Sequence, residues 1–205
     1  MPLPDNAVAI LANAVAKAVA WKTEMRLNDI TGMYFDRLAT IADAKDAWRY
    51  RNIGNADETD AIQQHFMETF PYHYSVLRTS VVPTIMNAGF RNNVIPSEAT
   101  AVLDIRMLPD EDVDAFYQML ADVIDDSRVE IVPEPVYRPA AGPSPIDSEM
   151  FQSLEKVAKR MYPETTVLPI MSTSASDMAM VRAKGMAAYG IGPVSTKEDL
   201  SGGRG

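Results

Sequence analysis

Between Pro133 and Pro145, five prolines and Gly142 fall within thirteen residues. Proline has no amide hydrogen to donate and a fixed φ, so neither a helix nor a central strand can run through such a stretch. The segment reads as a linker, and it divides the 205-residue chain into a first domain of residues 1–135 and a second of 136–205. Each piece is long enough to bury a core of its own.

Ahead of the linker the apolar spacing alternates between helix and strand. Asn6 precedes Val8, Ile10, Leu11, Val15 and Val19, a capping residue followed by apolar positions near helical spacing, so a helix runs to about Ala20. Trp21 to Phe70 is broken by Gly32, Gly54 and Asn55 and reads as helical and loop-rich, with one helix over Thr59 to Phe70. Ser75 to Gly89 and Ala99 to Met107 are rich in β-branched residues and read as two strands joined by a polar turn. Pro109-Asp110 opens an amphipathic helix carrying Phe116, Leu120 and Ile124, and Arg128 to Val132 reads as a third strand. Beyond the linker the spacing predicts a helix from Asp147 to Met161, a strand over Thr165 to Met171, a short helix over Ser176 to Lys184 and a strand over Met186 to Ile191. That order suggests the edge of a parallel sheet. The chain then ends in the loop Ser201 to Gly205.

Charge excludes some partners. With 28 acidic against 19 basic residues, a net charge of −9 repels phosphate backbones and anionic lipid, so neither nucleic acid nor a membrane is an expected partner. Ala7 to Trp21 is too short and too polar to span a bilayer, and no signal-peptide pattern opens the chain, so it reads as cytoplasmic. Cysteine is absent, which removes disulfides, thiolate metal sites and cysteine nucleophiles.

Several constellations bear on chemistry. Asn92-Asn93-Val94-Ile95-Pro96 leads into a strand ending Asp104-Ile105-Arg106; an arginine there can clamp a carboxylate through two parallel bonds, or simply be solvated beside ordinary turn asparagines. Ser172-Thr173-Ser174-Ala175-Ser176-Asp177 lies between a strand and a helix, where it can approach an anion or merely cap the helix. Ser153 and Lys156 match a Ser-x-x-Lys spacing without the companion motifs of serine acyl-enzymes. His65 and His73 have no acidic partner in a metal-binding pattern and read as core or surface histidines.

Taken in order, the Pro4-Asp5-Asn6-Ala7 helix start, Asn92 to Pro96, Asp104-Ile105-Arg106, Ser172 to Asp177 and Ala188 to Pro193 resemble successive landmarks of the dizinc peptidases and amidohydrolases. That family includes aminoacylases, carboxypeptidases, dipeptidases and succinyl-diaminopimelate desuccinylase. The resemblance implies an α+β lid over residues 1–135, an antiparallel sheet with two helices in a ferredoxin-like arrangement, with Trp21 to Phe70 as a helical insertion. It implies a partial α/β catalytic segment after the linker and a homodimer formed through the lid. By the same resemblance Asn92 reaches the substrate, Arg106 grips its terminal carboxylate, and Ser172, Thr173, Ser174 and Ser176 line the pocket. Relatives often carry Gly-Gly-Thr-Asp where this chain has Ser174-Ala175-Ser176-Asp177. The family's two zinc ions are held by a His-x-Asp pair, a bridging aspartate, a Glu-Glu pair and a late histidine, none of which this chain contains. The expectation is therefore a fragment of a zinc-dependent hydrolase of N-acyl amino acids or short peptides, with no metal or hydrolysis in this chain alone. The alternative is a stand-alone dimerisation or ligand-binding module.

Overall fold

The structure, a computed structural model, describes residues 5–134, 141–192 and 194. In chain order its elements are α1 (Ala7–Ala20), α2 (Asp29–Leu38), α3 (Ala44–Asn52), α4 (Thr59–Thr69), α5 (Pro71–Ser75), β1 (Ser80–Ala88), β2 (Ala99–Arg106), α6 (Val113–Ile124), α7 (Glu149–Met161) and α8 (Met178–Arg182). Pro135 and Pro139 of the linker, Pro193 and the Ser201 to Gly205 tail lie outside the described residues. The chain forms two compact units. One takes the residues up to Glu24 and from Arg78 to the linker; the other takes Met25–Leu77 and the residues after the linker. Most of the segment expected as an insertion in the lid thus belongs to the second unit.

The first unit is an α+β lid. The Asn6 side chain accepts hydrogen bonds from the amides of Val8 and Ala9, which removes two orphan donors and starts α1. β1 and β2 pair antiparallel, from Ser80 opposite Arg106 to Ala88 opposite Ala99, with a bulge between Pro83 and Ile85. Proline is tolerated here because β1 has a single partner strand. Helices α1 and α6 cover one face: Ala14 and Ala18 meet Leu120 and Ile124, with Val81, Leu103 and Ile105 of the strands against them. The two alanines let α1 approach closely, and Lys17 reaches across to the Ile124 carbonyl at 2.5 Å, meeting the negative end of α6. On the other face Val82, Ile85 and Val102 are exposed.

Where β1 begins, buried Thr79 accepts a bond from the Leu108 amide at 3.1 Å and donates to Glu111, while its carbonyl receives Thr23 Oγ1 at 2.6 Å. The expected strand over Ser75 to Gly89 therefore starts late. Pro71 opens a turn of helix, and Val76 and Leu77 are buried in the helical core rather than in the sheet. The third expected strand, Arg128 to Val132, is not paired: Val129 and Ile131 pack on the lid core without a ladder, so their alternation records burial alone.

In the second unit α2, α3, α4 and α5 surround a core of Phe35, Phe66, Tyr50 and Leu77. Asn28 and Thr31 form a reciprocal cap at the start of α2. Arg37 ties α2 to α7 through Glu155 at 2.5 Å and to the Val167 carbonyl at 2.8 Å. Of the two strands expected after the linker neither is formed among the described residues. Leu168 and Met171 pack on the helical core, and both backbone groups of Ala188 are satisfied at 2.8 Å by the Ser144 hydroxyl, which takes the place of a neighbouring strand.

Candidate functional site

The β1–β2 hairpin carries two of the residues singled out in the sequence. At its tip Gly89 adopts φ +66°, and a side chain there would meet Pro96 at 3.7 Å; glycine and the proline together set the turn. Asn92 sits on this turn and is exposed. Arg106 ends β2, opposite Ser80, at the far end of the ladder. One strand step rises about 3.3 Å, so the seven steps from Ala99 to Arg106 separate the two ends of the hairpin by roughly 23 Å. Asn92 and Arg106 of one chain are not brought together.

Arg106 is also engaged. Its Nε and Nη2 donate to the Asp104 carboxylate at 3.1 and 3.0 Å, which the i, i+2 relation on one face of a strand allows. The pair is about half exposed, so a competing carboxylate can reach the guanidinium from solvent.

Around the hairpin tip the structure shows a groove of about 490 Å³. Val8 of α1, Phe90, Val94 and Pro96 supply its apolar lining, and Arg91 and Asn92 its polar groups. Phe90 and Arg91 were not singled out by sequence reasoning. The available signal was a cation beside two turn asparagines, flanked by an aromatic residue with no place in the strand pattern.

The Ser172 to Asp177 loop lies in the second unit. Ser172 Oγ accepts from the Ser174 amide at 3.1 Å, and Ser176 Oγ from the Met178 amide at 3.2 Å. Ser176, not Asp177, meets the first turn of α8, and that helix has only five residues.

Neither histidine has the surroundings of a metal ligand. His73 is buried among the rings of Tyr34, Phe35, Tyr50, Phe66, Phe70 and Tyr72, with centroids 5.1 to 6.0 Å from the imidazole, and its Nε2 is 3.0 Å from the Tyr34 hydroxyl. Burial pushes its pKa down to about 4, against a weaker upward pull from Asp46. His65 lies 3.3 Å from Thr69 Oγ1 and 3.8 Å from Asp46. Among the described residues no three His, Cys, Asp or Glu side chains converge to hold a metal ion, so this donor set does not fit a dizinc centre. Nor, among them, is any helix long and apolar enough to cross a membrane.

Comparison with known proteins decides the family. The model of the peptidase dimerisation domain matches residues 3–131, the greater part of the chain. The chain belongs to the peptidase dimerisation domain family. Among curated proteins this dimerisation-domain chain is similar to a probable carboxypeptidase S-like 2 of Dictyostelium discoideum, 27% identical over 177 residues, which cover 86% of this chain and 33% of that protein. It is also similar to the N-fatty-acyl-amino acid synthase/hydrolase PM20D1.1 of Danio rerio, 25% identical over 86% of this chain and 34% of that protein. The human N-fatty-acyl-amino acid synthase/hydrolase PM20D1 is 28% identical over 55% of this chain and 23% of its own length. The chain thus spans about a third of the length of the first two of these relatives. No solved structure gives a significant match.

Proposed function

We propose that this chain is part of a zinc-dependent amidohydrolase that acts on N-acyl amino acids or short peptides with a free carboxylate. The supporting observation is the family match over residues 3–131, joined to relatives whose names describe a carboxypeptidase and hydrolases of N-fatty-acyl amino acids. In this reading the lid pairs two copies, Arg106 exchanges its bond to Asp104 for the substrate carboxylate, and Asn92 donates its amide to the substrate. Ser172, Thr173, Ser174 and Ser176 line the pocket. The roughly 23 Å between hairpin ends means that a short substrate meets only one of Asn92 and Arg106 from a given copy, so both act on it only if two lids contribute. Zinc, held by residues of a longer protein, would supply a polarised carbonyl and an acidified water. The chain's own donor set does not fit that role, so the chain alone is expected to bind and dimerise without hydrolysing.

The test is made on the longer protein. Hydrolysis of an N-acyl amino acid should be lost with a chelator, and Arg106→Ala should raise KM or lower kcat for substrates with a free carboxylate while sparing their amides. Unchanged kinetics would remove Arg106 from the site. Hydrolysis that persists in metal-free protein would overturn the reading, and binding without any hydrolysis would favour a dimerisation or ligand-binding module.

A further inference from the structure

We propose that the groove at the tip of the β1–β2 hairpin is a binding site for an amphiphilic carboxylate, in which Arg91 pairs with the anionic head and Phe90, Val94 and Val8 cover the apolar tail.

Three observations carry this. Arg91 lies in the groove and makes no side-chain hydrogen bond or ion pair among the described residues, unlike Arg106 and Arg128, each held by a carboxylate. Its guanidinium therefore gives up no existing bond to accept a carboxylate. Beside it Phe90 is 79% exposed, the largest exposure among the chain's described large apolar residues, and it is adjoined by Val94 and by Val8 of α1. A ring so far out of the core gains from any apolar cover, at about 25 cal/mol per Å² removed from water. The frame is also fixed in advance: Gly89 at positive φ, with Pro96 against it, holds the turn that presents both side chains, so little ordering is needed on binding. A cation, an Asn92 amide without a hydrogen-bond partner among the described residues and an apolar wall match a ligand with a carboxylate, an amide and a chain. The choice of an acyl amino acid as the probe rests on the reading under Proposed function; the site itself rests on the groove.

The experiment is titration of the 205-residue chain with N-dodecanoylglycine, kept below its micelle-forming concentration, followed by calorimetry and by amide chemical shifts. Expected is one saturable site with shifts confined to Val8 and the hairpin tip. Arg91→Gln should weaken binding about fivefold, as an exposed ion pair allows, and Phe90→Ala about tenfold. Both positions are exposed, so neither change should alter the circular dichroism spectrum. The methyl ester of the ligand should bind as weakly to the wild-type chain as the acid does to Arg91→Gln, and Arg91→Gln should leave ester binding unchanged. Equal affinity for acid and ester, shifts spread over the exposed sheet face, or no saturation would each overturn the site. If the longer protein hydrolyses acyl amino acids while Arg91→Gln binds normally, this inference alone fails. If the chain binds through Arg91 and the longer protein hydrolyses nothing, the hydrolase reading fails and the site stands.

Discussion

His73 is the residue at which burial and charge meet most sharply. The imidazole has a folded-state pKa near 4 against an ordinary 6.5, so the fold favours the neutral ring. As pH falls through 6.5 the unfolded chain takes up a proton that the folded chain refuses. Stability of the helical unit therefore falls between about 6.5 and 4 and levels below that, where the folded form also takes the proton. The whole step is on the order of 3 kcal/mol. Denaturant melts of the wild-type chain at pH 7 and 5 should show this loss, and His73→Phe should flatten the difference between those two conditions even if it lowers stability at both. An unchanged slope would mean that other groups carry the acid sensitivity. Tyr72, raised to about 12 by the same burial, stays protonated throughout and adds nothing to the profile. The tip glycine offers a second test. Gly89→Ala forces a Cβ into a positive-φ position beside Pro96, and should cost about 1 kcal/mol of lid stability in the same melts.

Among the elements, α1 shows how local signals and packing combine. Its cap bonds from Asn6 are among the few interactions that start the helix, and Asn6→Ala should lower lid stability by about 1 kcal/mol, seen as a lower melting midpoint with unchanged cooperativity. This helix was legible in the sequence because a capping residue and apolar spacing agree on its start and its length; for α6 the apolar face was legible, but the helix starts at Val113 with Asp112 as its cap rather than at Pro109-Asp110. The hairpin was legible from β-branched content on both sides of a polar turn, which also placed Asn92 at the tip and Arg106 at the strand end. The unpaired segments were not legible. Val129, Ile131, Leu168 and Met171 have the apolar spacing of strands because they bury side chains, and no pattern of side chains states whether a backbone finds a ladder partner. Val76 and Leu77 illustrate the same ambiguity: a β-branched run leading into β1 begins in a helical core. Of the candidate site, the sequence carried residue identities and their order along the hairpin, but not the bonds that tie Arg106 to Asp104 nor the groove that Phe90 and Arg91 share with Val8.

At the scale of the whole molecule, the chain should associate and should not hold zinc. Val82, Ile85 and Val102 leave one face of the lid sheet apolar and uncovered, and in a chain of the dimerisation-domain family a second copy is the expected cover for that face. Light scattering after gel filtration should then give twice the chain mass, and Val82→Lys with Ile85→Lys should give the monomer without loss of secondary structure. A dimer that survives both lysines would place the contact elsewhere on the lid. Metal content discriminates the enzyme reading more directly. Only two histidines are present; one is enclosed by six rings with its Nε2 on Tyr34, and the other sits near one carboxylate. After incubation with zinc and gel filtration, elemental analysis should find far less than one zinc per chain. Two tightly held ions per chain would require ligands drawn from His65, Asp46 and carboxylates that do not converge among the described residues, and the chemistry would have to be rebuilt around them.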